Sequence, residues 1–303
     1  MGDTTTVPDS AAEAAETAAS TAGLGEAVLD TISAAVLLRS HPQFDERVLD
    51  AYAGDGASAL PTAELVSIGG LVDAVEPAES LVEAGRERAG ERMPQLQWHV
   101  ADPADWEPTG YDLVQCVLGL GAFDDAAAGV HHLIERARPG GRVVIATWSR
   151  DALDPLPQLL LAALPESAEA DSAPTDSTQA DSTQADSTQT DSTPDAEDAA
   201  AELAAGLAVP SADTAGSLAH WLTELGLVEV RADSVQRHLD LTPELAWALV
   251  EGTGLRGHLR ELDDAERDAV RERFERAVAD LGERTIDASV VIAVGRRPDD
   301  AHS

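Results

Sequence analysis

The sequence predicts an α/β protein with a doubly wound, mostly parallel seven-stranded sheet and helices on both faces. Three observations support this fold class. Short apolar segments of strand length alternate with segments whose apolar residues recur at helical spacing, which is typical of βαβ units. A turn with two glycines separates the first predicted strand from the helix after it. The chain has 303 residues, 44% of them hydrophobic, which is enough to bury a core of this kind.

The first half of the chain is predicted to form one domain over residues 22–164, after a disordered tail over residues 1–21. Its helices, recognised by apolar residues on one face, are Leu24–Leu38, Ala57–Ile68, Glu79–Arg92 and Ala126–Ala137. Its strands, which are short and apolar, are Arg47–Ala51, Leu71–Val75, Leu96–Val100, Tyr111–Leu118 and Arg142–Thr147. Pro139-Gly140-Gly141 is predicted to be the turn before the fifth strand.

Residues 165–205 differ in composition from the rest of the chain. They are rich in Asp, Ser, Thr and Gln, and Asp176, Asp181, Asp186 and Asp191 each begin an Asp-Ser-Thr repeat. Such a segment buries too little apolar surface to offset the entropy lost on ordering, so we predict a disordered insertion.

Residues 206–297 are predicted to complete the same domain, followed by a tail over 298–303. The predicted elements are a helix at Thr214–Leu225, an extended segment at Val228–Leu241, helices at Pro243–Glu251 and Asp263–Leu281, and a strand at Ile286–Val294. Two late strands that enclose helices are expected to join the sheet as a hairpin-like pair.

The charge of the chain restricts its partners. The formal net charge is −36, and all 20 basic residues are arginine. Nucleic acids and anionic membranes are bound through basic contacts, so we expect a small-molecule substrate and neither of those partners. An acidic, lysine-free chain is typical of a high-salt cytoplasm or of a GC-rich genome, and both origins stay open.

Several classes of protein are disfavoured by what the sequence contains. No apolar run approaches the length of a membrane span, and residues 1–21 lack the basic start and apolar core of a signal peptide, so a cytoplasmic location is expected. The single Cys116 excludes an intrachain disulfide, and the absence of a spaced His/Asp/Glu cluster predicts no metal.

The most informative segment is the turn after the first strand. That strand ends at Asp50, the turn contains Gly54 and Gly56, and Glu76 stands about 20 residues further on, at the end of the next strand. Glycines let a backbone approach a ligand closely, and a carboxylate at the position of Glu76 accepts hydrogen bonds from ribose hydroxyls. The pattern therefore predicts a nucleoside-containing ligand.

Charge distinguishes two such ligands. The spacing Gly-x-Gly-x-x-Ala fits a nicotinamide dinucleotide, but the dinucleotide would place an anionic pyrophosphate near Asp50 and Asp55. S-adenosylmethionine instead carries an ammonium group and a positively charged sulfur. The carboxylates favour S-adenosylmethionine, and an NAD-dependent oxidoreductase remains an alternative.

The segment from Val48 to Trp148 resembles the class I S-adenosylmethionine-dependent methyltransferases, particularly the ubiquinone and menaquinone biosynthesis branch (methyltransferase type 11-like domain). Five pieces in the same order carry the resemblance, namely Val48-Leu-Asp-Ala-Tyr-Ala-Gly-Asp-Gly56, Val72-Asp-Ala-Val-Glu-Pro77, Val100-Ala-Asp102, Tyr111-Asp-Leu-Val-Gln-Cys-Val-Leu-Gly119 and Arg138-Pro-Gly-Gly-Arg-Val-Val144. The tail segment Gly252–Gly257 and the last strand are also similar.

The resemblance implies a role for each matching position. The predicted donor contacts are Asp50 and the Gly54–Gly56 turn for the methionine portion, Glu76 for the ribose, Asp102 for the adenine amino group, Trp106 for the adenine ring, and Gln115–Leu118 for the methyl group and acceptor. Tyr52 replaces the first glycine of the family's turn and is included among the donor-binding residues.

Other residues are interpreted structurally. Cys116 is predicted to be a small core residue, His131 and His132 to be structural, and His99 to be solvated. The Leu24–Leu38 helix and the Asp151–Leu164 segment are expected to roof the site. No general base is assigned, so a non-catalytic S-adenosylmethionine-binding or regulatory protein on the same fold stays open as a second interpretation.

Overall fold

The computed structural model of the protein describes residues 28–165, 212–259 and 262–299. The predicted N-terminal tail and almost all of the predicted insertion lie outside these residues. The strands are β1 Arg47–Ala51, β2 Leu71–Glu76, β3 Leu96–Val100, β4 Tyr111–Val117, β5 Ala137–Trp148, β6 Val228–Val235, β7 His238–Asp240, β8 Thr285–Asp287 and β9 Val290–Arg296. The helices are α1 Asp30–Ser40, α2 Ala59–Val66, α3 Glu79–Ala89, α4 Ala126–Arg136, α5 Leu156–Ala163, α6 Ala215–Glu224, α7 Pro243–Gly252 and α8 Asp264–Asp280.

The predicted fold class is confirmed by a seven-stranded sheet in the order β3-β2-β1-β4-β5-β9-β6. β1 to β5 are parallel, and β9 runs antiparallel between β5 and β6. The C-terminal part of the chain therefore completes the sheet as a hairpin-like pair. The carboxyl ends of β1, β2 and β4 meet at one edge, where open α/β sheets bind their ligands.

Helices cover both faces of the sheet over two apolar cores. On one face α1, α2, α5, α7 and α8 pack over a core that includes Trp247 and Phe274, and on the other α4 and α6 pack over Tyr111 and Leu133. Thr214 and Asp263, the first residues of two predicted helices, are the N-caps of α6 and α8, each with a capping box. Among the described helices, none has both the length and the apolar character needed to cross a membrane.

Several predicted boundaries differ from the structure, and the predicted strand Ile286–Val294 divides into β8 and β9. The extended segment Val228–Leu241 divides into β6 and β7, and β7 pairs with β8 in a separate two-stranded sheet. β5 begins at Ala137, before the predicted Pro139-Gly140-Gly141 turn, and its register with β4 shifts across that segment. Gly140 has a φ of +70°, so the segment bulges within the strand and does not end it.

Candidate functional site

A cavity of about 310 Å³ opens at the carboxyl ends of β1, β2 and β4. The turn after β1 forms its floor, and α1 and the short turn Gly254–Leu259 after α7 contribute to its walls. Its size is in the range of small-molecule sites. The polar residues and glycines that line it include Ser33, Tyr52, Gly54, Asp55, Ser58, Glu76, Gly119, Asp124, Thr253 and Arg256.

Gly54 and Gly56, the two glycines of the turn after β1, have different surroundings. Gly54 has a φ of +57°, and a Cβ added there would meet no atom within 4 Å, so the backbone is open at the cavity. Gly56 has a φ of +93°, and a Cβ there would lie 2.8 Å from the Trp98 ring. Gly54 is therefore placed for close approach of a ligand, whereas Gly56 permits packing beneath the turn and does not line the cavity.

Glu76 is held rigidly beside Gly54. Its side chain lines the cavity although only 3% of the residue is exposed. Its Oε2 accepts the N–H of Gly54 at 3.1 Å and its Oε1 accepts the N–H of Ala78 at 3.0 Å. Burial raises the pKa of Glu76 above its usual value, while these N–H groups and Arg256 lower it. Each carboxylate oxygen retains a lone pair for a further donor such as a hydroxyl.

Asp50 lies below the turn and not in the cavity. It is fully buried, and its Oδ2 accepts hydrogen bonds from Ser58 Oγ at 2.7 Å and Gln115 Nε2 at 2.9 Å. Asp50 and Gln115 are partners in the β1–β4 register, which explains their contact. The predicted direct contact of Asp50 with the donor is not supported by this position. Asp50 instead fixes Ser58, the N-cap of α2.

Gln115 is also fully buried, so its predicted orientation toward the methyl group is wrong in this structure. Its amide donates to Asp50 and, at 3.2 Å, to Thr62 Oγ1. Side chains alternate between the faces of a strand, and that of Gln115 points toward α2, beneath the turn. The residues of the predicted Gln115–Leu118 segment that line the cavity are Val117 and Leu118.

The burial of Asp50 predicts a measurable pH dependence of stability. Burial raises the pKa of Asp50 to about 6, whereas the carboxyl of an unfolded chain titrates near 3.8. The stability contributed by protonated Asp50 is complete below pH 3.8 and is lost as the pH rises through 6. We expect D50N, which cannot ionise, to gain up to about 3 kcal/mol in free energy of unfolding relative to wild type between pH 4 and pH 7.

Urea unfolding of both proteins at several pH values measures this difference. Comparing the variant with wild type removes the pH dependence of the other carboxylates. A difference between D50N and wild type that does not change with pH would show that Asp50 titrates normally.

Tyr52 occupies the position of the missing turn glycine with a φ of +55°, in the left-handed region. Its ring packs edge-on against Phe123, with centroids 4.9 Å apart, and its hydroxyl donates to Asp102 Oδ1 at 3.2 Å. The Oδ1 of Asp102 also accepts the N–H of Ala104. Asp102 Oδ2 makes no hydrogen bond to a described residue, so one carboxylate oxygen stays free as an acceptor. Asp102 is not among the residues that line the cavity.

Trp106 does not line the cavity. Its indole N–H donates to Tyr111 Oη at 3.0 Å, and the Tyr111 hydroxyl donates to Asp73 Oδ2 at 2.8 Å. His99, predicted to be solvated, is 30% exposed with Nε2 2.8 Å from Asp73 Oδ1, and its ring lies 4.7 Å from that of Trp106. The imidazole is therefore only partly solvated, because Asp73 and Trp106 lie against it. The network connects β2, β3 and β4 to the loop after β3, which contains Asp102 and Trp106.

The two carboxylates that were expected to repel a dinucleotide do not both face the cavity. Asp50 is buried away from the cavity, and Asp55, which lines it, pairs with Arg88 at 2.6 Å. The carboxylates of Glu76 and Asp124 also line the cavity. The cavity lining is acidic, as the sequence suggested, but Glu76 and Asp124 contribute to it and Asp50 does not.

The structure also revises the roof of the site. α1 contributes Leu29 and Ser33 to the cavity, as its predicted position implies, but α5 packs against α8 and does not line it. The 252–257 segment takes that place and brings Arg256 to the cavity. Sequence reasoning marked this segment only as similar to the family and did not assign Arg256. Cys116 is fully buried, and burial raises the pKa of its thiol to about 12, as expected of a core residue.

Comparison with known proteins identifies the central segment. Residues 48–141 match the family described as methyltransferase domain. A demethylmenaquinone methyltransferase of Clavibacter sepedonicus is 32% identical over 109 residues, which are 36% of this chain and 43% of that protein. A ubiquinone biosynthesis O-methyltransferase of Yersinia pestis is 30% identical over 117 residues, covering 38% and 48%. The chain thus spans about half the length of the curated relatives it matches.

Solved structures resemble nearly the whole chain. A putative methyltransferase of Bacillus halodurans is similar over 88% of this chain and 98% of that one, with a TM-score of 0.52 and 14% identity. The YcgJ protein of Bacillus subtilis covers 89% and 99%, with a TM-score of 0.50 and 12% identity. These likenesses support the fold, and the family match confirms the resemblance that the sequence motifs indicated.

Proposed function

Since residues 48–141 carry a methyltransferase domain, we propose that the protein is an S-adenosylmethionine-dependent methyltransferase that acts on a small-molecule acceptor. The observation that carries the proposal is the pairing of Gly54 with Glu76. The open backbone of Gly54 and the fixed Glu76 carboxylate lie in one cavity at the carboxyl ends of β1 and β2. This pairing suits a ligand that has a ribose next to a group in close contact with the turn.

The residues of the cavity fit the donor. Glu76 would accept hydrogen bonds from the ribose hydroxyls. Asp102 lies outside the cavity lining but accepts the hydroxyl of the lining residue Tyr52, and it would accept a hydrogen bond from the adenine amino group. The acidic lining formed by Asp55, Glu76 and Asp124 favours a cationic ligand. These assignments are proposals, as is the role of Tyr52, which lines the cavity, in donor binding. The predicted adenine contact of Trp106 has no support from the cavity lining, which does not include it.

Sheet topology favours the methyl donor over a dinucleotide. The dinucleotide-binding fold has six strands in the order 3-2-1-4-5-6. Here a seventh strand, β9, is inserted antiparallel between β5 and β6. Because Asp50 lies outside the cavity lining and Asp55 is paired with Arg88, this topology supports S-adenosylmethionine better than those two charges do.

The protein's part in such a reaction is alignment. When bound, S-adenosylmethionine supplies a methyl group on a positively charged sulfur, and the acceptor atom displaces that sulfur in line. Holding the two reactants in the correct geometry lowers the barrier without a covalent enzyme intermediate. Gly54 and Glu76 would fix the donor, while Leu29, Ser33 and Leu118 line the cavity and would shape the acceptor side.

Isothermal titration with S-adenosylmethionine, S-adenosylhomocysteine and NAD tests the proposal. We expect saturable binding of the two sulfur nucleosides and none of NAD. Mass screening of metabolite extracts with a donor that carries a deuterated methyl group would then identify the acceptor. Absence of heat with near-millimolar donor, for protein shown to be folded by circular dichroism, would remove the proposal.

A non-catalytic S-adenosylmethionine-binding protein is the second candidate function. Tyr52 favours it, because a tyrosine with a left-handed backbone conformation replaces the turn glycine. Its hydroxyl also donates a hydrogen bond to one carboxylate oxygen of Asp102. Donor binding without methyl transfer to any molecule in the extracts would support this candidate. A cytoplasmic location and the absence of a nucleic-acid partner stay predictions from composition.

A further inference from the structure

We propose that the acceptor carries an anionic oxygen group, such as a carboxylate, and that Arg256 binds this group. The inference rests on the proposed methyltransferase function and names the class of its substrate. Arg256 is the only cationic side chain among the described residues that line the cavity. The other charged lining residues, Asp55, Glu76 and Asp124, are carboxylates, and the whole chain has a net charge of −36.

The guanidinium of Arg256 is available for a ligand. It donates no hydrogen bond to a described residue, and its one ion pair, with Glu76 Oε1, is long at 4.0 Å. Glu76 already accepts the N–H groups of Gly54 and Ala78, which accounts for the loose pair. The side chain of Arg256 is 40% exposed, so its five N–H donors can reach a bound molecule.

The backbone of Arg256 is firmly placed. The flanking Leu255 and Leu259 are 0% and 1% exposed, which anchors the turn Gly254–Leu259 in the core. The N–H of Arg256 donates to the carbonyl of Thr253 at 3.2 Å, and Thr253 Oγ1 donates to Leu249 O at 2.6 Å. A guanidinium that is partly exposed on a turn anchored in the core is suited to binding a carboxylate through two parallel hydrogen bonds.

A second polar group in the cavity independently indicates a polar ligand. Ser33 lines the cavity from α1, is 2% exposed, and its Oγ has no hydrogen-bond partner among the described residues. A buried hydroxyl without a partner is costly unless a ligand or water satisfies it. Leu29 and Leu118 lie in the same lining, so the acceptor would combine an apolar body with an anionic end.

The donor also has a carboxylate, in its methionine portion, and this is the main competing role for Arg256. The two roles make different predictions. If Arg256 bound the donor carboxylate, R256Q would weaken the binding of S-adenosylhomocysteine. It would not weaken the binding of 5′-methylthioadenosine, which lacks that carboxylate. If Arg256 binds the acceptor, R256Q leaves both affinities within about twofold.

The test is to titrate the protein with benzoate, phenylacetate and octanoate and to compare the Kd of each carboxylate with that of its neutral amide. Each titration is done with and without saturating S-adenosylhomocysteine. For wild type we expect the carboxylates to bind about tenfold more tightly than the amides, as for one charge-assisted hydrogen-bonded pair. R256Q should abolish this preference, and R256K should keep part of it. R267Q, which removes an exposed arginine of α8, is the control and should match wild type.

Two results would overturn the inference. One is that none of the three carboxylates binds more tightly than its amide to wild-type protein. The other is that R256Q weakens the binding of S-adenosylhomocysteine and leaves the affinity for 5′-methylthioadenosine unchanged. A carboxylate preference that depends on Arg256 in protein that binds no sulfur nucleoside would support the anion site and contradict the methyltransferase function, so the two failures are distinguishable.

Discussion

Replacing Glu76 with alanine is expected to raise the Kd for S-adenosylmethionine by about 100-fold. Two hydrogen bonds from ribose hydroxyls to a carboxylate contribute about 1.5 kcal/mol each at the lower estimate, and their sum corresponds to that factor. The substitution also removes the acceptor of the Gly54 N–H, which orders the turn. Calorimetric titration of wild type and E76A with the donor measures the effect.

The matched control is E83A, which removes an exposed carboxylate from α3, outside the cavity lining. It changes the net charge by the same amount and should leave the donor Kd unchanged. Because burial raises the pKa of Glu76, we also expect donor affinity in wild type to fall as the pH is lowered toward that value. An E76A protein that is folded and binds as tightly as wild type would show that the ribose assignment is wrong.

Substituting Gly56 with alanine is expected to reduce the free energy of unfolding by about 2–4 kcal/mol, from left-handed strain together with overpacking. The φ of +93° is unfavourable for a residue with a side chain, and the new Cβ would lie 2.8 Å from Trp98 and 3.2 Å from Leu60. The Trp98 ring has no room to move away, because it also packs closely on Gly85 in α3. Denaturant unfolding of G56A and wild type measures the loss.

Gly54 provides the matched control in the same turn. A Cβ there meets no atom within 4 Å, so G54A should lose only about 1–2 kcal/mol from its left-handed φ of +57°. Its methyl group would project into the cavity. G54A should therefore reduce the free energy of donor binding by more than it reduces the free energy of unfolding. Equal stability of G56A and G54A would contradict the packing of Trp98 beneath the turn.

Much of the fold could be predicted from local patterns. Apolar periodicity identified all seven strands of the main sheet and every described helix except α5, which fell within a segment predicted only to roof the site. The predicted boundaries of elements were wrong where tertiary contacts overrode a local sequence preference. Pro139-Gly140-Gly141 is a typical turn, yet pairing with β4 and β9 keeps it inside β5 as a bulge.

The candidate site could be predicted less completely. The positions of Gly54 and Glu76 follow from strand ends and spacing, which are local properties of the chain. Asp50 and Gln115 were expected at the ligand, but their side chains meet beneath the turn, fully buried. Which face of the sheet a strand residue occupies depends on the register between β1 and β4, and no pattern within either strand reveals that register.

The sequence by itself predicted the α/β architecture, the resemblance of the central segment to methyltransferases and the edge of the sheet at which the cavity lies. These follow from periodicity, glycine placement and motif order, all of which act over short distances along the chain. Only the tertiary structure decided that Asp50 is buried beneath the turn, outside the cavity lining, and that Ser33 and Arg256 line one cavity with Glu76. Glu76 lies 43 positions after Ser33 and 180 positions before Arg256. Only the packing of α1 and the 254–259 turn over the sheet brings the three residues together.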